Sequence, residues 1–259
     1  MNLSYEYIEE LDHPAIWKRS KPNDEGGCIA HNCGFSASNK TLRFTGQHRL
    51  PKRSCNRDIV GKPSKGLEKG KPMSAGTFTC LKQNGYSFFI ARAWESIGNY
   101  DETGIQNMKN ARAAGWEYVD AYIFPCLRST CASPAAQVEA TVNRLNAEGA
   151  KFGMIWLDIE IFAWPNDINY NRNFINAMGN QLNAMGVNWG IYTNNNNWGS
   201  IVGISWNQWA SRPLWWANYN GHQDYTNFVP FGGWSKPSIH QYAGDYKGPC
   251  GVDLDLNWY

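Results

Sequence analysis

The feature that most constrains the fold is a short apolar run, Lys151–Phe162, which reads KFGMIWLDIEIF and includes two carboxylates near its end. A run of this length after a helical segment is typical of a buried strand. Side chains alternate along a strand, so Trp156, Asp158 and Glu160 are predicted to share one face. The opposite face is predicted to hold Leu157, Ile159 and Ile161.

Two acids on one face of a buried strand are costly to keep there. Desolvation and mutual repulsion raise the pKa of at least one of them, and a raised pKa suits a general acid. Asp158 and Glu160 are therefore candidate catalytic residues. The alternative is that they form a structural strand end held by salt bridges.

The pattern around this run alternates strands with helices. Strands are predicted at 86–94, 118–124, 187–192, 214–219, 238–242 and 252–258, and helices at 103–115, 133–149, 171–185 and 194–202. Such alternation indicates a parallel sheet, and the absence of a glycine-rich dinucleotide loop favours a closed β/α barrel over an open sheet. A barrel places its active residues at the carboxyl ends of the strands, where the two acids lie.

The amino-terminal part differs in composition. Residues 1–76 contain 13 Lys and Arg against 8 Asp and Glu, in a chain whose overall net charge is only +2. They show no sustained apolar period, and 61–72 (GKPSKGLEKGKP) is typical of a flexible linker. We therefore predict a poorly ordered or loosely docked segment over 1–73 and a barrel domain over 74–259.

Several partner classes are disfavoured. The small net charge gives no bulk attraction to nucleic acid or membrane, and no run reaches the ~18 apolar residues of a membrane span. No recurring ligand set implies a metal or organic cofactor, and a monomer is expected. The first twenty residues lack the apolar centre of a signal peptide.

Over 74–259 the sequence resembles the family-25 glycoside hydrolases, the Chalaropsis-type lysozymes, and especially their nematode-type members. The motifs that carry the resemblance, in order, are FTCLKQNGYSFFIARAWES, GIQNMKNARAAGW, VDAYIFPC, GMIWLDIE, WGIYTNNNNW, PLWWANY, IHQY and GVDLDLNWY. The resemblance implies an irregular barrel of the TIM type, with five βα units followed by three strands. It also implies cleavage, with retention, of the β-1,4 bond between N-acetylmuramic acid and N-acetylglucosamine in bacterial peptidoglycan.

The resemblance also implies residue roles. Glu160 matches the general acid/base, Asp158 matches a nucleophile or a group that orients the substrate's acetamido group, and Asp255 matches an acid on the last strand. Glu95 matches an acid at the pocket edge. Further sugar-binding positions are Tyr122, Tyr192, Trp216 and Gln241.

One position departs from the family pattern. The family's first strand carries an aspartate about twelve residues before the cysteine that corresponds to Cys80, and here that count reaches Glu68 within SKGLEKGKP. Gly, Lys and Pro make a poor central strand, so we expect the first strand to be missing or replaced, with Glu68 as a possible substitute acid. The alternative function is a catalytically impaired glycan-binding protein of the same fold.

The cysteines suggest two disulfides. Cys126 and Cys131 flank a short loop, while Cys80, predicted to start the first helix, and Cys250, before the last strand, would meet where a barrel closes. Two disulfides indicate an oxidising compartment, so a secreted, lysosomal or phagosomal location is expected despite the missing signal peptide; free thiols are the alternative. The remaining cysteines and two histidines do not match a standard zinc pattern: Cys28, Cys33, Cys55, His31 and His48.

Aromatic residues are abundant, with 13 Trp in the chain. Sugars stack on aromatic faces, so four tryptophans are candidate subsite walls, with core packing as the alternative: Trp94, Trp156, Trp164 and Trp216. An acid-x-acid strand end also occurs in chitinases. That class is disfavoured because Trp156 and Gly153 stand where such chitinases carry further aspartates.

Overall fold

The computed structural model describes the backbone of residues 59–61 and, in full, residues 71–259. Within this part of the chain the strands form one nine-stranded sheet, in the order β1–β9–β8–β7–β6–β5–β4–β2–β3. The strands are β1 (Ile59–Gly61), β2 (Phe88–Glu95), β3 (Asn99–Tyr100), β4 (Tyr118–Ile123), β5 (Ile155–Asp158), β6 (Trp189–Thr193), β7 (Leu214–Ala217), β8 (Ile239–Lys247) and β9 (Asp253–Trp258).

The sheet closes on itself at β1. This strand pairs antiparallel with β9 and parallel with β2, so it joins the two ends of the curled sheet. The neighbours from β2 through β4, β5, β6 and β7 to β8 are parallel, whereas β8 and β9 are antiparallel. The result is the irregular β/α barrel that the sequence predicts, with its last strands following one another without a full helix between them.

The first strand is present, but it comes from a different place than expected. Three residues, Ile59–Gly61, fill the position between β2 and β9, well before Glu68. Glu68 itself lies outside the described residues. The predicted division of the chain at residue 73 stays a prediction, although β1 shows that the amino-terminal segment contributes to the barrel.

In the described part of the chain, five α-helices connect the strands: α1 (Ala75–Gln83), α2 (Glu102–Ala113), α3 (Pro134–Ala147), α4 (Ile168–Ala184) and α5 (Asn195–Val202). Each begins after a residue whose side chain accepts a hydrogen bond from a backbone N–H of the first turn. The capping residues are Ser74, Asp101, Ser133, Asp167 and Asn194. Among the described residues, none of the helices is both long enough and apolar enough to cross a bilayer.

Two apolar clusters fill the domain. The smaller one is inside the barrel and is built from alternate residues of the strands: Phe88, Ile90, Tyr122, Met154, Trp156, Tyr192, Trp215, Ala217 and Ile239. The larger one lies between the sheet and the helices, and it takes Ile155, Leu157 and Ile159 from β5 and the residue after it. This division confirms the predicted alternation from Trp156 to Ile159.

The chain leaves the sheet earlier than predicted after β5. The strand ends at Asp158, so Ile161 is not buried beside Leu157 and Ile159 but is 53% exposed. This corrects the prediction for Ile161, because alternation holds only while the backbone stays extended. Cys80 is also corrected: α1 begins at Ala75, so Cys80 lies in its second half.

The two predicted disulfides are present, Cys80–Cys250 and Cys126–Cys131. The first joins α1 to the turn before β9 across 170 residues of sequence. The backbone just before α1 is also fixed, because Asn107 Oδ1 accepts from Met73 N at 2.8 Å and Asn110 Nδ2 donates to Met73 O at 2.7 Å. Met73 is buried in the outer core, so docking onto α2 begins before residue 74.

Candidate functional site

The carboxyl ends of the parallel strands meet at one mouth of the barrel, and the predicted acids lie there. Asp158 is the last residue of β5, and Glu160 follows it two residues later. Asp255 lies on β9, which reaches the same mouth from the opposite direction. Asp158 and Asp255 are almost completely buried, 1% and 2% exposed, whereas Glu160 is partly exposed.

Glu160 lines an open cleft of about 280 Å³ at this mouth. The cleft is formed by residues at or just after the carboxyl ends of β5, β6 and β7: Glu160, Ile161, Tyr192, Asn194, Asn197, Ala217, Asn218 and Tyr219. Its polar groups are one carboxylate, two phenols and three side-chain amides. Such a lining offers a proton donor and several hydrogen-bonding groups to an uncharged polar ligand.

Asp255 is oriented by a hydrogen-bonded network that reaches the cleft. Gln241 Nε2 donates to Asp255 Oδ2 at 3.2 Å, and the backbone N–H of Asp245 donates to Asp255 Oδ1 at 2.9 Å. The amide oxygen of Gln241 accepts from the hydroxyls of Tyr192 at 2.6 Å and Tyr219 at 2.9 Å. Gln241 thus links the carboxylate on β9 to two phenols of the cleft wall.

Two of the buried tyrosines, Tyr122 and Tyr192, remain neutral well into alkaline solution. Burial raises the pKa of Tyr192 well above its usual range, and Tyr219, Glu160 and Asp158 raise it further. Burial likewise raises the pKa of Tyr122; nearby Arg92 opposes this, and Asp158 and Asp255 add to it. The charges of Asp158 and Asp255 therefore both act on Tyr122, which belongs to the cluster inside the barrel.

A partly buried ion cluster supports the β2 side of the mouth. Arg92 Nε donates to Asp101 Oδ2 at 2.8 Å, and Arg92 Nη2 donates to Glu95 Oε1 at 3.2 Å. Burial on its own lowers the pKa of the Arg92 guanidinium, but Tyr122, Asp101 and Glu95 raise it overall. Glu95, the last residue of β2, is thus paired with an arginine that the sequence did not single out. It is not among the residues that line the cleft, and its role at the pocket edge stays a prediction.

Trp216 lies on the other side of the sheet from its predicted position. It is 3% exposed, belongs to the outer core, stacks on His240 at 4.5 Å and packs against Phe228 at 5.2 Å. Its neighbour Trp215 faces the barrel interior and donates from Nε1 to Asn257 Oδ1 at 2.7 Å. The prediction of Trp216 as a groove residue is therefore wrong. The sequence did not indicate which of the two adjacent tryptophans faces the barrel interior.

The other three tryptophans that were candidate subsite walls also pack in the core and do not line the cleft. Trp94 packs against Tyr100, and Trp156 is buried inside the barrel. Trp164 packs against Phe174 and donates from Nε1 to the backbone oxygen of Glu160 at 3.1 Å. Core packing therefore describes these side chains better than subsite walls.

Several cleft residues were missed by the sequence analysis: Asn194, Asn197, Asn218 and Tyr219. Asn194 and Asn197 belong to the run of four asparagines after β6, and Asn194 also caps α5. Tyr219 continues the inward alternation of Trp215 and Ala217, which was a usable signal.

The remaining predicted residues lie outside the described part of the chain. They are Glu68 and the residues considered and disfavoured as zinc ligands, namely Cys28, Cys33, Cys55, His31 and His48. Within the described ranges, no group of three or more His, Cys, Asp or Glu side chains is arranged to hold a metal ion.

Solved structures resemble the barrel. A muramidase from Trichobolus zukalii matches with a TM-score of 0.60 and 22% identity, covering 78% of this chain and 92% of that one. A bacterial lysozyme from Streptomyces coelicolor matches with a TM-score of 0.60 and 24% identity, covering 80% and 93%. At these identities the likeness establishes the fold alone.

Sequence relatives are much more similar. Lysozyme-like protein 5 of Caenorhabditis elegans is 48% identical over 200 residues, which is 77% of this chain and 93% of that protein. A probable GH family 25 lysozyme 2 of Dictyostelium discoideum is 42% identical over 194 residues, 75% and 90% of the two chains. The family model described as Lysozyme-like protein 1 matches residues 63–242. Together with the barrel and its acidic mouth, these matches show that the chain belongs to the GH25 lysozyme family.

Proposed function

We propose that this chain is a muramidase, which hydrolyses the β-1,4 bond between N-acetylmuramic acid and N-acetylglucosamine in bacterial peptidoglycan. The observation that carries the proposal is the position of Glu160 on the cleft, at the barrel mouth to which Asp158 and Asp255 also contribute buried carboxylates. Relatives described as lysozymes and muramidases support it. Peptidoglycan is the proposed ligand, since a homologous autolysin has been solved with a synthetic peptidoglycan ligand.

In this proposal Glu160 donates a proton to the glycosidic oxygen as the bond to the anomeric carbon breaks. Asp158 then either attacks the anomeric carbon or orients the acetamido group of the substrate to do so. Water, deprotonated by Glu160, completes hydrolysis and restores the acid. Gln241 and the backbone of Asp245 fix the orientation of the Asp255 carboxylate through two hydrogen bonds, and a carboxylate held in this way can stabilise the developing positive charge.

The wall of the cleft suits an N-acetylated sugar. The side-chain amides of Asn194, Asn197 and Asn218 offer both donors and acceptors to acetamido groups. Tyr219, which is 49% exposed, presents an aromatic face on which a sugar ring can stack. A secreted or lysosomal location and an antibacterial role are part of the proposal; the two disulfides support an oxidising compartment.

The first test is Glu160→Gln, which keeps the shape of the side chain but removes its proton chemistry. We expect clearing of Gram-positive cell walls, followed by turbidity, to fall by about 10²-fold or more. Glu139→Gln, an exposed change on α3, is the matched control and should keep the parent rate. Equal rates for the Glu160 variant and its parent would remove Glu160 from the mechanism, and clearing of chitin in place of cell walls would point to a chitinase.

A second candidate function, glycan binding without hydrolysis, is favoured by the sequence of β1. Gly61 is directly opposite Asp255 in the antiparallel pair, and opposed residues share a face of the sheet. The described first strand therefore contributes no carboxylate next to Asp255. A chain of this kind would bind peptidoglycan fragments but leave cell walls intact.

The two functions are separated by Gly61→Asp, which introduces a carboxylate opposite Asp255. If a missing first-strand acid limits the reaction, the variant should hydrolyse walls at least about tenfold faster than the parent, within the range of one added acid–base group. Gly61→Asn, with a similar size and no charge, should bring no gain. A parent that already clears walls, and that Gly61→Asp slows, would contradict the impaired reading.

A further inference from the structure

His240 is buried on the outer face of β8, on the side opposite Gln241. The ring has no solvent exposure, and its backbone is paired with Trp216 on β7 and Trp258 on β9. The imidazole stacks on the indole of Trp216 with ring centroids 4.5 Å apart and an angle of 28° between the planes. A cation over an indole face is stabilised by the ring quadrupole, so this position favours the protonated form of the ring.

Both ring nitrogens of His240 contact backbone carbonyl oxygens. Nδ1 lies 2.7 Å from the oxygen of Asp224, and Nε2 lies 2.7 Å from the oxygen of Asn218. A carbonyl oxygen only accepts, and a neutral imidazole carries a single N–H. The doubly protonated ring is therefore the form that satisfies both contacts, because a neutral ring would set a nitrogen lone pair against one of the oxygens.

The two carbonyls belong to one loop, residues 218–238, that connects β7 to β8. Its first residues form a wall of the cleft, since Ala217, Asn218 and Tyr219 all line it. Backbone hydrogen bonds from Asn218 N to Gln241 O (3.0 Å) and from Gly221 N to Tyr242 O (2.9 Å) hold the start of the loop against β8. The His240 ring ties this start to Asp224, further along the loop.

Protonation of the ring has opposite effects on the loop and on the whole fold. Burial is the largest influence on the pKa of His240 and lowers it, whereas the two carbonyls and Asp224 oppose this and His222 adds to it. Relative to the unfolded chain, the folded stability that this lowered pKa brings is present above ~6.5 and is lost as the pH falls. The loop is compared with a fold in which the ring stays buried but one carbonyl has moved away. A ring that donates to both carbonyls binds its second proton more tightly than a ring in that fold.

We propose that His240 is a positioning residue of the cleft wall, whose imidazolium form holds Asn218 and Asp224 together, so that mild acid tightens the loop carrying Asn218 and Tyr219. The titratable groups around the ring are Asp224 and His222 of the loop and Tyr242 of β8. Of these, Asp224 adds a negative charge that favours the imidazolium. The clamp is independent of any hydrolysis in the cleft.

The test measures the hydrogen-exchange rates of the Asn218 and Gly221 amides by NMR from pH 7.5 to 5. The protection of each amide is its intrinsic exchange rate at that pH divided by the observed rate. In the parent chain the protection of both amides should rise about tenfold as the pH falls, as expected for one added charge-assisted hydrogen bond. The ¹⁵N shifts of the His240 ring should show both nitrogens protonated over the same pH range. A rise in local protection together with falling global stability is a combination that a merely structural role would not produce.

Two variants complete the experiment. His240→Phe keeps an aromatic ring on Trp216 but removes both donors, and its protection should not change with pH. His222→Gln removes an exposed imidazole of the same loop and should leave the rise intact. Protection in the parent that stays flat or falls with acid, or a ring that never protonates at both nitrogens, would overturn the clamp; both are measured on the parent, so they decide even if His240→Phe fails to fold.

Discussion

At the scale of single residues, Gln241 on β8 links side chains of β6 and β9 by hydrogen bonds. Its amide oxygen accepts from Tyr192 and Tyr219, and its amide nitrogen donates to Asp255. A glutamine is suited to this position because one side chain must accept on one side and donate on the other. The orientation of the buried Asp255 carboxylate therefore depends on phenols that line the cleft.

Tyr192→Phe tests this connection through stability. Loss of one hydroxyl from a shared acceptor should lower the free energy of unfolding at neutral pH by about 1 kcal/mol. Burial raises the pKa of Tyr192 in the folded chain, so its phenol ionises at a lower pH in the unfolded chain than in the folded one. The parent therefore loses stability as the pH rises above ~10. The variant should lose less over that range, as measured by urea unfolding.

Tyr246→Phe serves as the control, because Tyr246 is 45% exposed. It should match the parent at neutral pH and keep the alkaline loss. A Tyr192 variant with the same alkaline slope as its parent would show that this phenol does not contribute to the loss.

At the scale of elements, the contact between α2 and β2 depends on one glycine. A Cβ atom on Gly104 would lie 1.8 Å from the backbone oxygen of Arg92, far inside van der Waals contact. Gly104 also donates its N–H to the Asp101 cap at 2.8 Å, and Asp101 pairs with Arg92. The close approach of the α2 and β2 backbones therefore fixes the start of α2 against β2, together with the ion cluster of Arg92.

Gly104→Ala should consequently destabilise the fold by about 3 kcal/mol, at the upper end of the usual cost of overpacking, because the added Cβ meets a backbone oxygen of β2 that cannot move aside as a side chain would. Thermal unfolding followed by circular dichroism measures the effect. Gly76→Ala in the first turn of α1 is the matched control, since its nearest neighbour is 3.5 Å away and alanine favours helix. A Gly104 variant as stable as the control would mean that α2 can move away from β2 at little cost.

At the scale of the whole molecule, three residues close the barrel. β1 is paired on both sides, with β9 and with β2, so it removes two exposed sheet edges at once. The Cys80–Cys250 disulfide and the contacts of Met73 with α2 lie on the same side of the domain. The segment before residue 74 therefore has a structural part that its composition does not suggest.

Two truncations measure the contribution of β1. Removal of residues 1–58 keeps the strand and should leave the unfolding temperature unchanged. Removal of 1–70 deletes it and should lower stability by a few kcal/mol, at about 1 kcal/mol for each backbone hydrogen bond lost. The longer truncation should also aggregate more readily, as measured by light scattering, because unpaired edges invite strand addition.

Equal stability of the two truncated chains would instead show that the barrel tolerates the loss of β1, with unpaired edges on β2 and β9. The predicted boundary at residue 73 would then describe the domain well. Limited proteolysis of the full chain, expected to cut first between about Lys62 and Lys71 where Lys and Gly alternate in the sequence, gives an independent measure of the same segment.

The sequence by itself determined the features that depend on neighbouring residues. Helix starts at Ser133 and Asn194 were predictable because a cap and the turn it closes are a few residues apart. The inward positions of Trp156 and Asp158 followed from alternation within one strand. The barrel followed from the order of strands, helices and motifs, and both disulfides followed from the positions of the cysteines within it.

Tertiary structure decided what depends on residues far apart in the chain. The adjacent Trp215 and Trp216 are chemically equivalent in sequence, and only the phase of β7 relative to β6 and β8 turns one inward. The exposure of Ile161 depends on where β5 loses its partners. Helix α4, capped by Asp167, begins at Ile168, three residues before the predicted start at residue 171. β1 is too short to show a period, and it is a strand because β9 and β2 each leave an edge that its backbone satisfies.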